Sequence, residues 1–153
     1  SVKEYLKTLV EKDSANFGES NYCQNTAINT VLSVYEKKAN DAGITVKIAA
    51  RAGQNIPVYP QDLVIVIANI FENAINATKK LKSKDKVIDI DIREKQTRLL
   101  VKIENPCKTN LRFDETDYGI GISSVIATTE KYQGMYDFTA EDGIFSSKVC
   151  LNY

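Results

Sequence analysis

Histidine does not occur anywhere in the 153-residue chain. Its absence excludes every mechanism built on an imidazole: serine–histidine and cysteine–histidine nucleophiles, and histidine-held metals. Cysteine is scarce. Cys23, Cys107 and Cys150 show neither a metal-ligand spacing nor a Cys-x-x-Cys pair, so they read as reduced cytosolic thiols and not as a disulfide framework. Net charge is lacking too, since 20 basic and 20 acidic side chains cancel without any Lys/Arg block. That balance argues against a surface made for nucleic acid or membrane lipid. No apolar run approaches the roughly 18 residues of a membrane span, and the opening "SVKEYLKTL" does not read as a signal peptide. Chemistry must then rest on carboxylates, amides, hydroxyls, backbone groups or a bound ion. The length, with 43% hydrophobic residues, suits one soluble domain able to close a core.

Periodicity divides the chain into short elements. Val2, Tyr5, Leu6, Leu9 and Val10 recur at helical spacing, which predicts a short amphipathic helix over residues 2–13. After the polar break "SANFGESN", the segment "TAINTVLSVYEKKANDAG" repeats the pattern through Ile28, Val31, Leu32 and Tyr35, with Gly43 as its stop. "ITVKIAA" alternates as a strand, and Pro60 opens a long helix after a proline-containing loop. "KVIDIDIRE" sets Ile88, Ile90 and Ile92 on one face and Asp89 and Asp91 on the other. "RLLVKIEN" returns beside it as a hairpin. A polar loop, "PCKTNLRFDETD", leads to "YGIGISSVIATTEKYQG", a glycine-rich turn running into a helix that closes on Gly134. "MYDFTAEDGIFSSKVCLNY" reads as a last hairpin around "EDG". The order predicts an α+β, two-layer α/β sandwich: a mixed sheet of about five strands with helices on one face.

The long helix poses a problem. Its middle, "NIFENAINA", puts Asn69, Glu72, Asn73 and Asn76 within an arc of roughly 100°. Leu63, Ile67, Ile70, Ala74 and Leu81 supply the apolar faces beside this stripe. Asn is a poor helix former, and a solvated face more usually carries Lys, Glu and Gln. Short amides there suit a bound nucleotide, because an Asn oxygen is a neutral, hard ligand of the kind Mg²⁺ accepts beside phosphates and water. An ordinary exposed face explains the stripe equally well on its own. The turn "YGIGISSV" adds Gly119 and Gly121 ahead of a helix, where backbone can approach a phosphate and free N–H groups point at it. Gly-x-Gly alone is common wherever helices begin.

The two features in this order, with a hairpin and a polar loop between them, resemble the GHKL nucleotide-binding fold. That family comprises histidine-kinase catalytic domains, type II topoisomerases, heat-shock chaperones and the MutL repair proteins. "NIFENAINA" looks like its N box and "YGIGISSVIATTEKYQG" like its second glycine box, and the likeness runs from about residue 20 to residue 153. The nearest match is the peptide-sensing, quorum-type histidine kinases of Gram-positive bacteria. "DYGIG", Asp117 to Gly121, also spells the family's adenine-binding first glycine box, but its place in the chain argues otherwise. The family's aspartate ends the strand after the N-box helix, and here that strand ends at "KIEN". The resemblance therefore puts Asn105 at the adenine and Gly119, Gly121 and Ile122 at the phosphates. Asn105 is followed by Pro106 and Cys107 where the broad family has glycines, and the lid is short. The alternative reading of Asn105 is a turn residue before proline.

The resemblance also implies a reaction. ATP-hydrolysing members carry a glutamate at the first N-box position as general base. Asn69 stands there instead, so bound ATP should survive to meet another acceptor. Asn73 is implied as the Mg²⁺ ligand. Glu72 stands where the kinases often have aspartate, and Asn76 replaces a basic phosphate contact. The acceptor in such kinases is a histidine on a dimerisation hairpin. Residues 1–18 resemble the tail of that hairpin with its linker, and residues 19–153 the catalytic domain. The expected whole is a cytosolic kinase portion with a membrane sensor and the phosphorylated helix upstream. Its partners would be its own hairpin and, indirectly, a response regulator. The alternative is a nucleotide-binding or pseudokinase module that only engages partners.

Overall fold

Apolar side chains three and four apart turn Thr26–Asp41 into a helix, α1. Ile28, Val31, Leu32 and Tyr35 form its buried stripe. The Asn25 carboxamide caps its start by accepting from the Ile28 N–H at 3.0 Å. Beyond it, Gly43 turns the chain at a φ of +77°, a conformation glycine adopts without strain. Strand β1 (Thr45–Arg51) and helix α2 (Pro60–Lys79) follow, with Pro60 in the first turn of α2. Next come β2 (Val87–Lys95), β3 (Arg98–Pro106), a 3₁₀ turn at Glu115–Asp117, α3 (Ile120–Lys131), β4 (Met135–Glu141) and β5 (Ile144–Asn152). These coordinates are a computed structural model that describes Glu4 and residues 21–153. The helix expected over residues 2–13, and with it the hairpin remnant in residues 1–18, falls outside the described residues apart from Glu4.

The five strands form one sheet in the order β1-β2-β3-β5-β4. β1 and β2 are parallel because α2 carries the chain back between them, and the remaining pairs are antiparallel. Alternation orients each strand: Ile88, Ile90 and Ile92 of β2, and Leu99, Val101 and Ile103 of β3, are buried under the helices. Asp89 is exposed on the other face and Asp91 is half-buried there, its carboxylate 2.9 Å from Arg93 Nε. Helix α2 packs against α1, α3 and β3, which makes it the centre of the helical layer. The expected α+β sandwich is therefore the one found. Among the described residues no helix is long and apolar enough to cross a membrane.

Two sequence expectations need adjustment. Leu81 does not extend the core face of the long helix, because α2 ends at Lys79 and Leu81 sits half-buried in the turn that follows. Gly134 closes the third helix as expected, but its reason is space and not dihedral freedom. A Cβ there would lie 1.9 Å from the Cys150 carbonyl oxygen. The "EDG" hairpin does depend on dihedral freedom, with Asp142 at φ 52° and Gly143 at φ 79°.

Gly134→Ala is expected to destabilise the fold by about 2 kcal/mol or more, as overpacking against backbone does. Gly119→Ala, where a Cβ would meet nothing within 4 Å, should cost well under half of that. Urea unfolding of the two variants checks the ranking, and equal midpoints would contradict it.

Candidate functional site

Helix α2 distributes its polar stripe among three environments. Asn69 is only 4% exposed. Its Nδ2 donates back to the Ile65 carbonyl at 2.8 Å, which satisfies a buried donor within the helix. The Oδ1 is thereby turned towards α3. A Cβ added to Gly121 would stand 3.0 Å from this oxygen, so the two helices approach here as closely as glycine permits. Glu72 lies on the other edge of the stripe, its Oε1 3.5 Å from Lys38 Nζ of α1. Asn73, one turn beyond Asn69, is half-buried, and Asn76 is exposed. Asn69 and Gly121 are thus brought into contact, while Glu72 faces α1.

At the far end of the same helix pair a polar junction sets their alignment. Asp62 of the first turn of α2 is 7% exposed. Its Oδ2 lies 2.9 Å from Lys131 Nζ and accepts from Tyr132 Oη at 2.5 Å. The Tyr59 N–H donates to that same Tyr132 oxygen at 3.0 Å, and the Lys131 ammonium sits 5.1 Å from the centre of the Tyr59 ring. Burial, and then the bond to Asp62, push the Tyr132 hydroxyl up to about 12. Sequence reading missed this junction. Asp62 and Lys131 are 69 residues apart and each sits unremarkably on its own helix.

The start of α3 is open. Gly119 occupies the N-cap with no side-chain cap, so the N–H groups of Ile120, Gly121 and Ile122 have no partner within the helix. They stand at the positive end of the helix dipole. The Ile122 side chain is 6% exposed and anchors the helix in the core, leaving its backbone as the group able to meet a ligand. Ile120 is 90% exposed beside it.

Asn105 lies at the end of β3 on the helix-facing side of the sheet, and is itself buried. Its Nδ2 donates to the Pro106 carbonyl at 2.9 Å. In register it sits opposite Phe145 of β5. The Phe145 ring meets Phe113 edge-on at 4.8 Å, Phe113 lies 5.7 Å from Tyr118, and Tyr118 meets Phe138 at 5.7 Å. Aromatic packing therefore folds the 107–119 loop over the sheet between Asn105 and Gly119. Its sequence signal was two aromatic residues, Phe113 and Tyr118, in an otherwise polar loop. Asp117 has a local task there: its Oδ2 accepts from the Asp114 N–H at 2.9 Å, closing a capping box around the 3₁₀ turn. The hydroxyl and N–H of Thr116 hold the Asp114 carboxyl below its usual range.

Among the described residues no three His, Cys, Asp or Glu side chains converge as a metal cage. The donors near Gly121 are amides and backbone N–H groups. The amide oxygens fit Mg²⁺ held jointly with phosphate oxygens and water, which supply the missing charge, and the N–H groups fit the phosphate oxygens themselves. A concavity of about 490 Å³ lined by Arg93, Lys102, Met135, Lys148 and Cys150 lies on the open face of the sheet, away from these groups.

The GHKL domain family model matches residues 58–152, from the loop before α2 to the end of β5. The chain belongs to the GHKL domain family. ATP binding is what GHKL domains share. No curated protein sequence matches the chain. Solved structures that resemble this GHKL domain include the nucleotide-free catalytic domain of histidine kinase ThkA, with a TM-score of 0.66 and 16% identity over 82% of this chain and 89% of that one. Histidine kinase AdeS of Acinetobacter baumannii gives 0.65 and 15% identity over 98% and 75%. The histidine kinase domain of a blue-light activated kinase from Erythrobacter litoralis EL346 gives 0.74 and 11% identity over 98% and 72%. At such identities the likeness establishes the fold.

The Tyr132 junction predicts an alkaline transition. The folded-state value near 12 stands above the ordinary 10, so the junction stabilises the fold fully below about pH 10, and that contribution is lost as pH rises towards 12. Tyr132→Phe should flatten this part of the stability–pH curve measured by urea unfolding. An unchanged curve in the variant would show that another tyrosine governs it.

Proposed function

We propose that this GHKL domain binds Mg²⁺-ATP and is the catalytic domain of a two-component sensor histidine kinase. It would transfer the γ-phosphoryl group to a histidine on a dimerisation hairpin. The observation that carries the reading is the contact of Asn69 with Gly121, which sets the N-box amides against the open amides of a glycine turn. In this reading Asn105 receives the adenine amino group on its amide oxygen. The N–H groups at Ile120, Gly121 and Ile122 take phosphate oxygens, with Gly119 and Gly121 leaving room for them. Asn73 ligates Mg²⁺, and Asn76 stands at the exposed end of the stripe beside the phosphates. Bound Mg²⁺ would offset the charge of the β- and γ-phosphates and orient the transferred group. Asn69 offers no proton acceptor to water, and Glu72, drawn towards Lys38, lies at the stripe's far edge. ATP is then kept for another acceptor.

Residues 1–18 would be the end of the hairpin and its linker, and residues 19–153 the catalytic domain. The short lid and the Asn105-Pro106-Cys107 sequence support the peptide-sensing kinases of Gram-positive bacteria as the subgroup. A cytosolic position behind an upstream membrane sensor, with a response regulator as the final acceptor, follows from that subgroup. The local role of Asp117 in the capping box supports Asn105 as the adenine residue.

ATP titrations with and without Mg²⁺ test the site. Asn73→Ala should lose at least about tenfold in Mg²⁺-dependent affinity, the scale that even outer-shell partners of a metal carry. Undiminished Mg²⁺-dependent binding would remove Asn73 from the role. Asn105→Ala should weaken binding by about 1–3 kcal/mol, and Asp117→Ala by much less; the reverse ranking would exchange the two.

Labelled ATP, offered with a separately made hairpin from the same kinase, tests the reaction. Slow transfer to the hairpin histidine is expected, because the tether that raises the acceptor's effective concentration is missing. Brisk hydrolysis without the hairpin would favour an ATPase, and binding without transfer a pseudokinase.

A further inference from the structure

We infer that the Asp62–Lys131–Tyr132 junction is a positioning device for phosphate binding, setting how far along α2 the open end of α3 comes to rest. The inference depends on the nucleotide reading above. The site is divided between two helices: α2 carries the amides and α3 the free N–H groups. At the site the contact is between the Asn69 oxygen and a glycine, while Ile122 and Val125 of α3 pack into the apolar core beside it. A glycine presents no side chain to interlock with the facing helix, so this contact limits approach but does little to oppose sliding along the axis. Apolar packing tolerates small slides, and the charged, directional tie of α3 to α2 lies some ten residues away, about 15 Å along α3.

There the bonds are directional. The Asp62 carboxylate receives Lys131 at 2.9 Å and the Tyr132 hydroxyl at 2.5 Å, and the Tyr59 N–H closes on the Tyr132 oxygen at 3.0 Å. Asp62 is nearly buried, so moving α3 by even a fraction of a turn would leave a carboxylate in apolar surroundings with fewer partners. Lys131 and Tyr132, at the end of α3, thus add a directional restraint to the apolar packing that positions its beginning. The junction touches no nucleotide, and its effect reaches only the groups that α3 presents. Adenine recognition at Asn105 belongs to β3 and does not depend on it.

This separation provides the test. Affinities for ATP and for adenosine are measured by competition at a temperature where each variant remains folded by circular dichroism. Tyr132→Phe and Asp62→Asn are expected to cut the preference for ATP over adenosine by about tenfold, the scale of a hydrogen bond to a charged group, with adenosine affinity held within about twofold. Lys131→Met, which leaves the Tyr132–Asp62 bond in place, should move the ratio in the same direction by less. Lys37→Ala, which removes an exposed ion pair on α1, should leave it unchanged. A lowered melting temperature with the ATP-to-adenosine ratio intact, or an equal loss for both ligands, would make the junction structural only and overturn the inference. If the unaltered protein binds neither ligand, the nucleotide reading itself falls and takes the inference with it.

Discussion

Helix α2 must meet two opposed demands. It is the element on which α1, α3 and β3 converge, so it has to be apolar over most of its circumference, yet its middle carries amides. The bond from Asn69 Nδ2 to the Ile65 carbonyl reconciles the two. It satisfies the donor half of a buried carboxamide inside the helix's own backbone, which removes most of the cost of burial. It also fixes the rotamer so that the acceptor half faces α3. A Cβ opposite that oxygen would stand only 3.0 Å from it, so the position favours glycine, and Gly121 occupies it. One back-bonded side chain thus contributes to how close α3 lies and favours glycine in its first turn.

The sheet extends the same constraint to the loop. β3 lies beneath α2 and delivers Asn105 to the helical side at its last turn of alternation. β5 places Phe145 beside it in register, and the aromatic contacts through Phe113 and Tyr118 bring the loop back to Gly119. The loop is polar in composition but held by rings, each pair contributing about 0.5–1.5 kcal/mol beyond its buried area. Such a closure is modest in energy compared with the helix–sheet core.

Periodicity made most of this architecture legible from residues alone. Strict alternation in "VIDIDIRE" oriented β2, and the helical recurrence of Ile28, Val31, Leu32 and Tyr35 gave α1 its buried stripe. That the amide stripe and the glycine turn would serve one nucleotide is an expectation from their order in the chain and the resemblance it carries. Other features were hidden for physical reasons. Pattern reading assigns a face to a residue but not a neighbour, so it could not tell that Glu72 would lie against Lys38 or that Asp62 would meet Lys131 and Tyr132. Leu81 continued the periodicity past the point where the backbone turns. Gly134 read as the helix stop, but the reason it must be glycine, the Cys150 carbonyl 1.9 Å from where a Cβ would lie, is a neighbour that no pattern shows.

The chemistry of the site follows from what its donors lack. Amides and backbone N–H groups carry no net charge, and the nearest carboxylate of the stripe, Glu72, is turned towards a lysine. A polyanionic ligand would therefore meet oriented dipoles and not a cluster of cations. Dipoles of this kind bind without committing a proton to either partner. On the nucleotide reading proposed above, an amide at Asn69 in place of a base suits the site to holding a phosphoryl group in one geometry. On the proposed function, the step that moves that group depends on an acceptor brought to it from outside these residues, and the placement of α3 relative to α2 decides which N–H groups the site presents to the phosphates.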